Sequence, residues 1–233
     1  MNYSYVGMGV PVRSARMTSA ERTREALIRA GLRLFGRQGF DATSTRALAA
    51  EAGANIGSIA YHFGSKEGLR TACAQYIVDK VSELADRTLG DLASEAAGTS
   101  SSEEARALLI QALQAMVGFT VARPEAGDMV QFLLRELSYP TGALDVIIAG
   151  VFDPMHKRLC ALWAAATGEP ADSERTKITV FTIVGQVLYF RIAQVPVMRR
   201  LGWTAIGPRE AASVADVIAA NLASILDARK TKT

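Results

Sequence analysis

The sequence predicts an all-α chain, in which three short helices lead into a larger helical bundle. Three observations point there. Alanine occurs 39 times while aromatic residues make up only 7% of the chain, and alanine is the best helix former because it loses no side-chain entropy. Apolar residues recur at three- and four-residue intervals, the spacing of one helix face. No alternating β-branched run bounded by turn residues occurs, so strands are not expected. Apolar residues at 49% and charged residues at 21% are an ordinary globular balance, which excludes disorder as the main state.

Each element can be justified in order. Residues 1–17 hold Gly, Pro and scattered apolar residues with no basic flank before a long apolar run. They read as a disordered arm with Met17 as an alternative start, not as a signal peptide. Thr18-Ser19-Ala20-Glu21 fits a capping box that opens the first helix. Leu27, Ile28, Gly31, Leu34 and Phe35 form its buried stripe, and Gly36 and Gly39 bracket its end. Thr43 or Ser44 caps a short second helix with Leu48, Ala49 and Ala52 inside, stopped by Gly53. Asn55 can cap a third helix running to about Phe63. A fourth starts near Lys66 and runs to about Ala97. The segment 98–104 (GTSSSEE) is a break and a new cap. Helices are then expected at about 103–122, 124–138, 142–166, 174–198 and 209–229, separated by Pro- and Gly-containing loops.

Charge is unevenly spread. Residues 1–70 carry a balance of +5 and the remainder −2, within a formal net charge of +3. A basic head on a mildly acidic body suits a head that meets a polyanion; a chance excess of surface arginine gives the same count. The longest apolar stretch, Ile178 to Phe190, is interrupted by Gln186 and is shorter than the roughly 20 residues of a membrane span. The two cysteines, Cys73 and Cys160, form no disulfide framework, so a reducing cytoplasm is expected.

The segment Arg46 to Phe63 has the spacing of a helix-turn-helix, two short helices around a tight glycine-containing turn. At about 100° per residue, Ile56, Ile59 and Phe63 share an apolar seam. The opposite side carries Gly57, Ser58, Tyr61 and His62. Small residues plus one tyrosine suit a helix that must approach DNA closely, because bulk at Gly57 or Ser58 would hold it off the base edges. A plain surface turn of a helical bundle is the alternative.

The run 39–69 (GFDATSTRALAAEAGANIGSIAYHFGSKEGL) resembles the DNA-binding domain of TetR-type transcription regulators. The shared features are Thr-x-Arg before a short helix, Ala-Gly at the turn, Tyr-His-Phe, and Ser-Lys-Glu-x-Leu. The resemblance implies a helix-turn-helix domain over 18–65 and a helical domain for effector binding and dimerisation over 66–233. It places Thr45 and Arg46 at phosphate, and Asn55, Ile56, Gly57, Ser58 and Ala60 near bases. Tyr61, His62 and Lys66 match positions that grip the backbone, with Lys66 at the positive end of the fourth helix. One departure stands out, since the family commonly has tyrosine where this chain has Ala60. His62 also fits simple packing between the third and fourth helices.

The partners so implied are double-stranded DNA with a palindromic operator, a small-molecule effector and a second copy of the chain, with no cofactor. Residues 134–141 (LRELSYPT) are similar to a subgroup with a CecR-like C-terminal domain, some members of which influence antibiotic sensitivity. For the effector, Met129, Phe132, Leu133, Trp163, Phe181 and Phe190 are apolar candidates, with Arg135, Glu136 and Gln186 as polar orienters; each also fits plain core. The last helix places Ala211, Val214, Ala215, Ile218, Leu222 and Ile225 on one stripe, which with helix 174–198 can form a four-helix dimer seam or close a monomeric core.

Enzyme signatures are missing from the sequence. There is no phosphate-cradling glycine loop, no Gly-x-Ser-x-Gly and no His-Glu-x-x-His. Asp153, His156 and Cys160 share one helix face, a partial metal site or a thiol–histidine pair at most, with no third ligand or oxyanion hole in view. No metal is expected. Cys73 fits buried packing better than redox sensing.

Overall fold

The structure, a computed structural model, describes residues 17–89 and 101–230. All of the expected arm over residues 1–17 except Met17, and the end of the fourth helix past Leu89, lie outside the described residues. Among the described residues every regular element is helical.

The head starts with α1 (Ser19–Gln38), where the capping box forms: the Glu21 amide donates to the Thr18 hydroxyl at 3.2 Å and the Thr18 amide to the Glu21 carboxylate at 2.7 Å. Those bonds from Thr18 hold the Glu21 carboxyl below the usual range. Ser44, not Thr43, caps α2 (Thr45–Glu51) by accepting from the Ala47 amide. Thr43 is instead fully buried, its hydroxyl bonded back to the Gly39 carbonyl at 2.6 Å. The third helix, α3 (Gly57–Phe63), begins two residues past its expected cap. Asn55 Oδ1 accepts from the Gly57 amide at 2.9 Å across a turn that the helix then continues. Ile56 therefore precedes the helix and is 51% exposed, whereas Ile59 is buried; the expected apolar seam loses its first member.

The long α4 (Lys66–Leu89) runs from head to body. It is followed by α5 (Ser102–Thr120), opened by a second capping box between Ser101 and Glu104, and by α6 (Pro124–Ser138). The single helix expected over 142–166 is three consecutive pieces: α7 (Gly142–Ile147), a π-helical turn (Ile148–Phe152) and α8 (Asp153–Thr167). Pro154 has no amide hydrogen for the carbonyl four residues back, and the wider turn accommodates that loss. The helix expected over 174–198 is likewise broken. α9 (Glu174–Ile192) and α10 (Gln194–Leu201) meet at 78°, because Pro196 cannot donate to the Ile192 carbonyl and its ring crowds it. α11 (Pro208–Lys230) closes the bundle.

Two cores result. The first joins Leu27, Ile28 and Phe35 of α1 to Leu48, Ile59, then Leu69 and Cys73 of α4, and continues into Phe132 and Ile147 of the body. The second packs Leu109, Leu113 and Val117 of α5 against Trp163 of α8, Val187 of α9, and Val214, Ile218 and Leu222 of α11. The stripe on α11 expected to serve as either dimer seam or monomer core is therefore committed to the chain's own core.

Candidate nucleic-acid interface and internal cavity

The outer face of the head is built from α2, α3 and the turn between them. On it, Arg46, Asn55, Ile56, Gly57, Ala60 and Tyr61 are exposed, while Thr45, Ser58 and His62 are half-buried. Tyr61 stands out at 81% exposure, its ring edge-on to His62 at 4.8 Å. A Cβ added at Gly57 would meet only Asn55 Oδ1, at 3.5 Å. The glycine is therefore not required by packing within the chain. Arg46 forms no hydrogen bond or ion pair with the described residues.

Lys66 is more occupied than its sequence position implies. Its ammonium donates to the carbonyls of Phe40 and Thr43, both at 3.0 Å, and lies 4.0 Å from the centroid of the Phe40 ring. It ties the loop between α1 and α2 to the start of α4. One of three N–H groups is left for a phosphate.

The joint between head and body is polar at its edges and tight at its centre. Arg70 of α4 meets Glu136 of α6 at 2.6 Å, and the Thr141 hydroxyl donates to the other carboxylate oxygen, also at 2.6 Å. Asp128 of α6 pairs with Arg33 at 3.3 Å and Arg37 at 3.7 Å, both on α1. Between these pairs, a Cβ at Gly36 would lie 3.0 Å from the Phe132 backbone nitrogen, so glycine is what lets α1 approach α6 this closely.

Within the body lies a cavity of about 270 Å³. Its walls come from α4 (Ile77, Val81), α5 (Ala112, Met116), α6 (Met129, Leu133), the π turn (Val151, Phe152), α8 (Met155, His156) and α9 (Phe181, Val184). Of the nine residues considered for an effector pocket, Met129, Leu133 and Phe181 line this cavity. The other six lie elsewhere. Phe132 belongs to the head-side core, and Glu136 is fully buried against Arg70. Arg135 reaches the Gln38 carbonyl and the Tyr139 ring. Trp163 is in the second core, with its indole N–H on Glu169. Gln186 accepts from Asn221, and Phe190 packs at the edge of the second core.

His156, four residues before Cys160 on one helix face, stacks its ring on Phe181 at 3.9 Å. Its Nε2 faces the Lys177 carbonyl at 3.1 Å and its Nδ1 faces Cys160 Sγ at 3.7 Å. A carbonyl can only accept, so Nε2 carries the hydrogen. Burial pushes the Cys160 thiol up from its ordinary pKa, which opposes a thiolate nucleophile. Among the described residues no three His, Cys, Asp or Glu side chains gather as a metal site.

Residues 27–73 match the model of the bacterial regulatory proteins of the tetR family, and residues 105–229 match that of the C-terminal domain of the HTH-type transcriptional dual regulator CecR. The chain belongs to the tetR family. CecR of Shigella flexneri is 32% identical over 219 residues, covering 91% of this chain and 95% of that protein. Solved structures share the fold. A TetR-like transcriptional regulator from Rhodococcus sp. RHA1 aligns with a TM-score of 0.59 at 18% identity, over 91% of this chain and 99% of that one. AibR, solved in complex with isovaleryl coenzyme A and operator DNA, aligns with a TM-score of 0.60 at 17% identity, over 84% and 96%. This tetR-family protein is thus a DNA-binding transcriptional regulator, and its family and homologues are regulators, not enzymes.

Proposed function

We propose that this TetR-family regulator works as a homodimeric repressor whose operator affinity falls when a small molecule occupies the body. The observation that carries the reading is the outer face of the head. Arg46 without a partner among the described residues, an exposed Tyr61 and a glycine that internal packing does not need stand on the two helices of this face. Thr45, Arg46, Tyr61, His62 and Lys66 would hold phosphates, and Asn55, Ile56, Gly57, Ser58 and Ala60 would approach base edges. Two heads related by a two-fold would then read half-sites about 34–36 Å apart, or a multiple of that. A chromosomal operator would place this work in the cytoplasm of a bacterium.

The dimer reading rests on apolar surface left uncovered by the chain. Ile178, Phe181, Tyr189 and Ile192 of α9 and Val217 of α11 are each more than half exposed. α11 even contains a window of mean hydropathy 1.4, long and apolar enough for a membrane span, yet only 28% of that window is buried. Its inner stripe packs in the core while its outer face, with Ala212, Val217 and Ala220, is free to meet a second copy. The relative from Shigella flexneri is called a dual regulator, so the sign of control can depend on where an operator lies relative to its promoter.

An effector would act through differential affinity for two head arrangements, typically worth about 1–3 kcal/mol. α6 is the connecting element, because Met129 and Leu133 line the cavity while Asp128 and Glu136 hold the head. Selection of bound sequences from a random duplex pool at physiological salt tests the reading. An enriched palindrome is the expected result; a well-folded dimer that enriches nothing would count against it.

A further inference from the structure

We infer that the cavity selects a neutral, predominantly apolar molecule of roughly one to two rings and excludes carboxylates, sulfonates and phosphates. This rests on reading the cavity as the effector site. Among the described residues no Asp, Glu, Lys or Arg lines it, and the side chains with polar atoms are Thr88, Thr120 and His156. Two of these have little to offer. The Thr120 hydroxyl already donates to the Met116 carbonyl at 2.7 Å. Both ring nitrogens of His156 face partners outside the cavity, the Lys177 carbonyl and Cys160 Sγ, so it presents its stacked ring and not a donor. A charged group entering here would lose its hydration with nothing to replace it.

Size and shape agree with the chemistry. About 270 Å³ is just below the roughly 300–1,000 Å³ of drug-sized sites. It exceeds the 150 Å³ of an engineered apolar cavity that stays dry and binds benzene. Phe119, Phe152 and Phe181 supply aromatic walls, and Met116, Met129 and Met155 supply side chains that repack around different outlines. The expected ligand is held by burial and aromatic contact, with Thr88 and the free lone pairs of Thr120 as its hydrogen-bonding partners.

The test uses the full-length protein and two fluorescent compounds of one scaffold, N-phenyl-1-naphthylamine and its 8-sulfonate. Dissociation constants from emission titrations should favour the neutral compound by at least about tenfold, the penalty for burying an unpaired charge. Ala115→Trp and Val151→Trp, which fill the cavity from α5 and from the π turn, should each weaken the neutral compound by about tenfold or more. Far-UV circular dichroism checks that both variants fold. Met116→Lys should move the preference towards the sulfonate. Equal affinity for the two compounds, or unchanged binding in both blocked variants, would overturn the inference. Release of selected operator DNA by the neutral compound supports the effector reading as well. Cavity binding without release supports the ligand class and counts against the effector reading alone.

Discussion

Arg70 and Glu136 form a buried ion pair across the joint between head and body, with Glu136 only 1% exposed and the N···O distance 2.6 Å. The pair is continued at both ends. Thr141 donates to the second carboxylate oxygen, and the Arg70 guanidinium lies 4.8 Å from the Phe40 ring, which Lys66 also approaches. The loop that positions α2 is thereby connected through two cations and a carboxylate to the helix that walls the cavity.

Breaking that connection should be costly. Removing one member of a buried pair strands the other without solvation, a loss of about 3–5 kcal/mol. Glu136→Ala is expected to lower unfolding free energy by that amount in urea titrations. Pairing Arg70→Met with Glu136→Leu should recover most of it, because neither charge is then left buried. If the double variant is as unstable as the single one, the pair is not the source of the loss.

Gly57→Leu separates fold from recognition. A Cβ at this exposed position meets only Asn55 Oδ1, at 3.5 Å, and leucine is a better helix former than glycine, although less so at the first residue of α3 than in a helix interior. Thermal stability should hold or rise slightly. Specific operator affinity should fall by at least about 100-fold, because two or more base contacts worth about 1–3 kcal/mol each are pushed away. Retained affinity in mobility-shift titrations would show that α3 does not approach bases at this point.

Arg46 and Lys66 should behave differently although both are basic residues at the head. Arg46 has no partner among the described residues, so Arg46→Ala should leave stability unchanged and reduce the slope of log affinity against log salt by about 0.9. Lys66 braces the loop through two carbonyls. Lys66→Met should therefore cost about 1–3 kcal/mol of stability and flatten the slope by less than Arg46→Ala does. A Lys66 variant with full stability and the larger slope change would reverse these roles.

Cys73 is fully buried, and burial is the main cause that drives its thiol pKa far above the ordinary value. The folded state thus keeps the proton after the unfolded chain, with a pKa near 8.5, has released it. Its contribution to stability is complete below about pH 8 and declines as pH rises through that value. A maleimide at neutral pH should leave Cys73 unmodified in the native protein and label it in urea. Rapid native labelling would reopen a redox role.

Much of this architecture was legible in the sequence because local chemistry dictates it. The Thr18–Glu21 box, the stop at Gly53 and the start at Lys66 each follow from a few neighbouring residues. The breaks at Pro154 and Pro196 were readable in principle, since a proline inside a helical pattern removes a specific hydrogen bond; long apolar periodicity masked both. The cavity was less legible. Met129, Leu133 and Phe181 line it, but Phe132 and Glu136 sit on the same helix facing the head, and only tertiary packing tells the faces of α6 apart. Ile77, Met116 and Phe152 gave no signal beyond that of ordinary core residues. The role of Arg70 was equally hidden, because its partner is 66 positions away.

The uncovered apolar face leads to the last expectation. Val217 is 59% exposed and points away from the stripe of α11 that packs in the core, so Val217→Glu should not disturb the protomer. Two glutamates brought together across a two-fold would repel in a desolvated seam, where a buried unpaired charge is worth several kcal/mol. Sedimentation velocity should find a monomer at concentrations where the parent protein is a dimer. Operator binding should weaken in parallel, because each head then binds its half-site alone. A Val217→Glu protein that sediments as a stable dimer would place the seam on another face of the body.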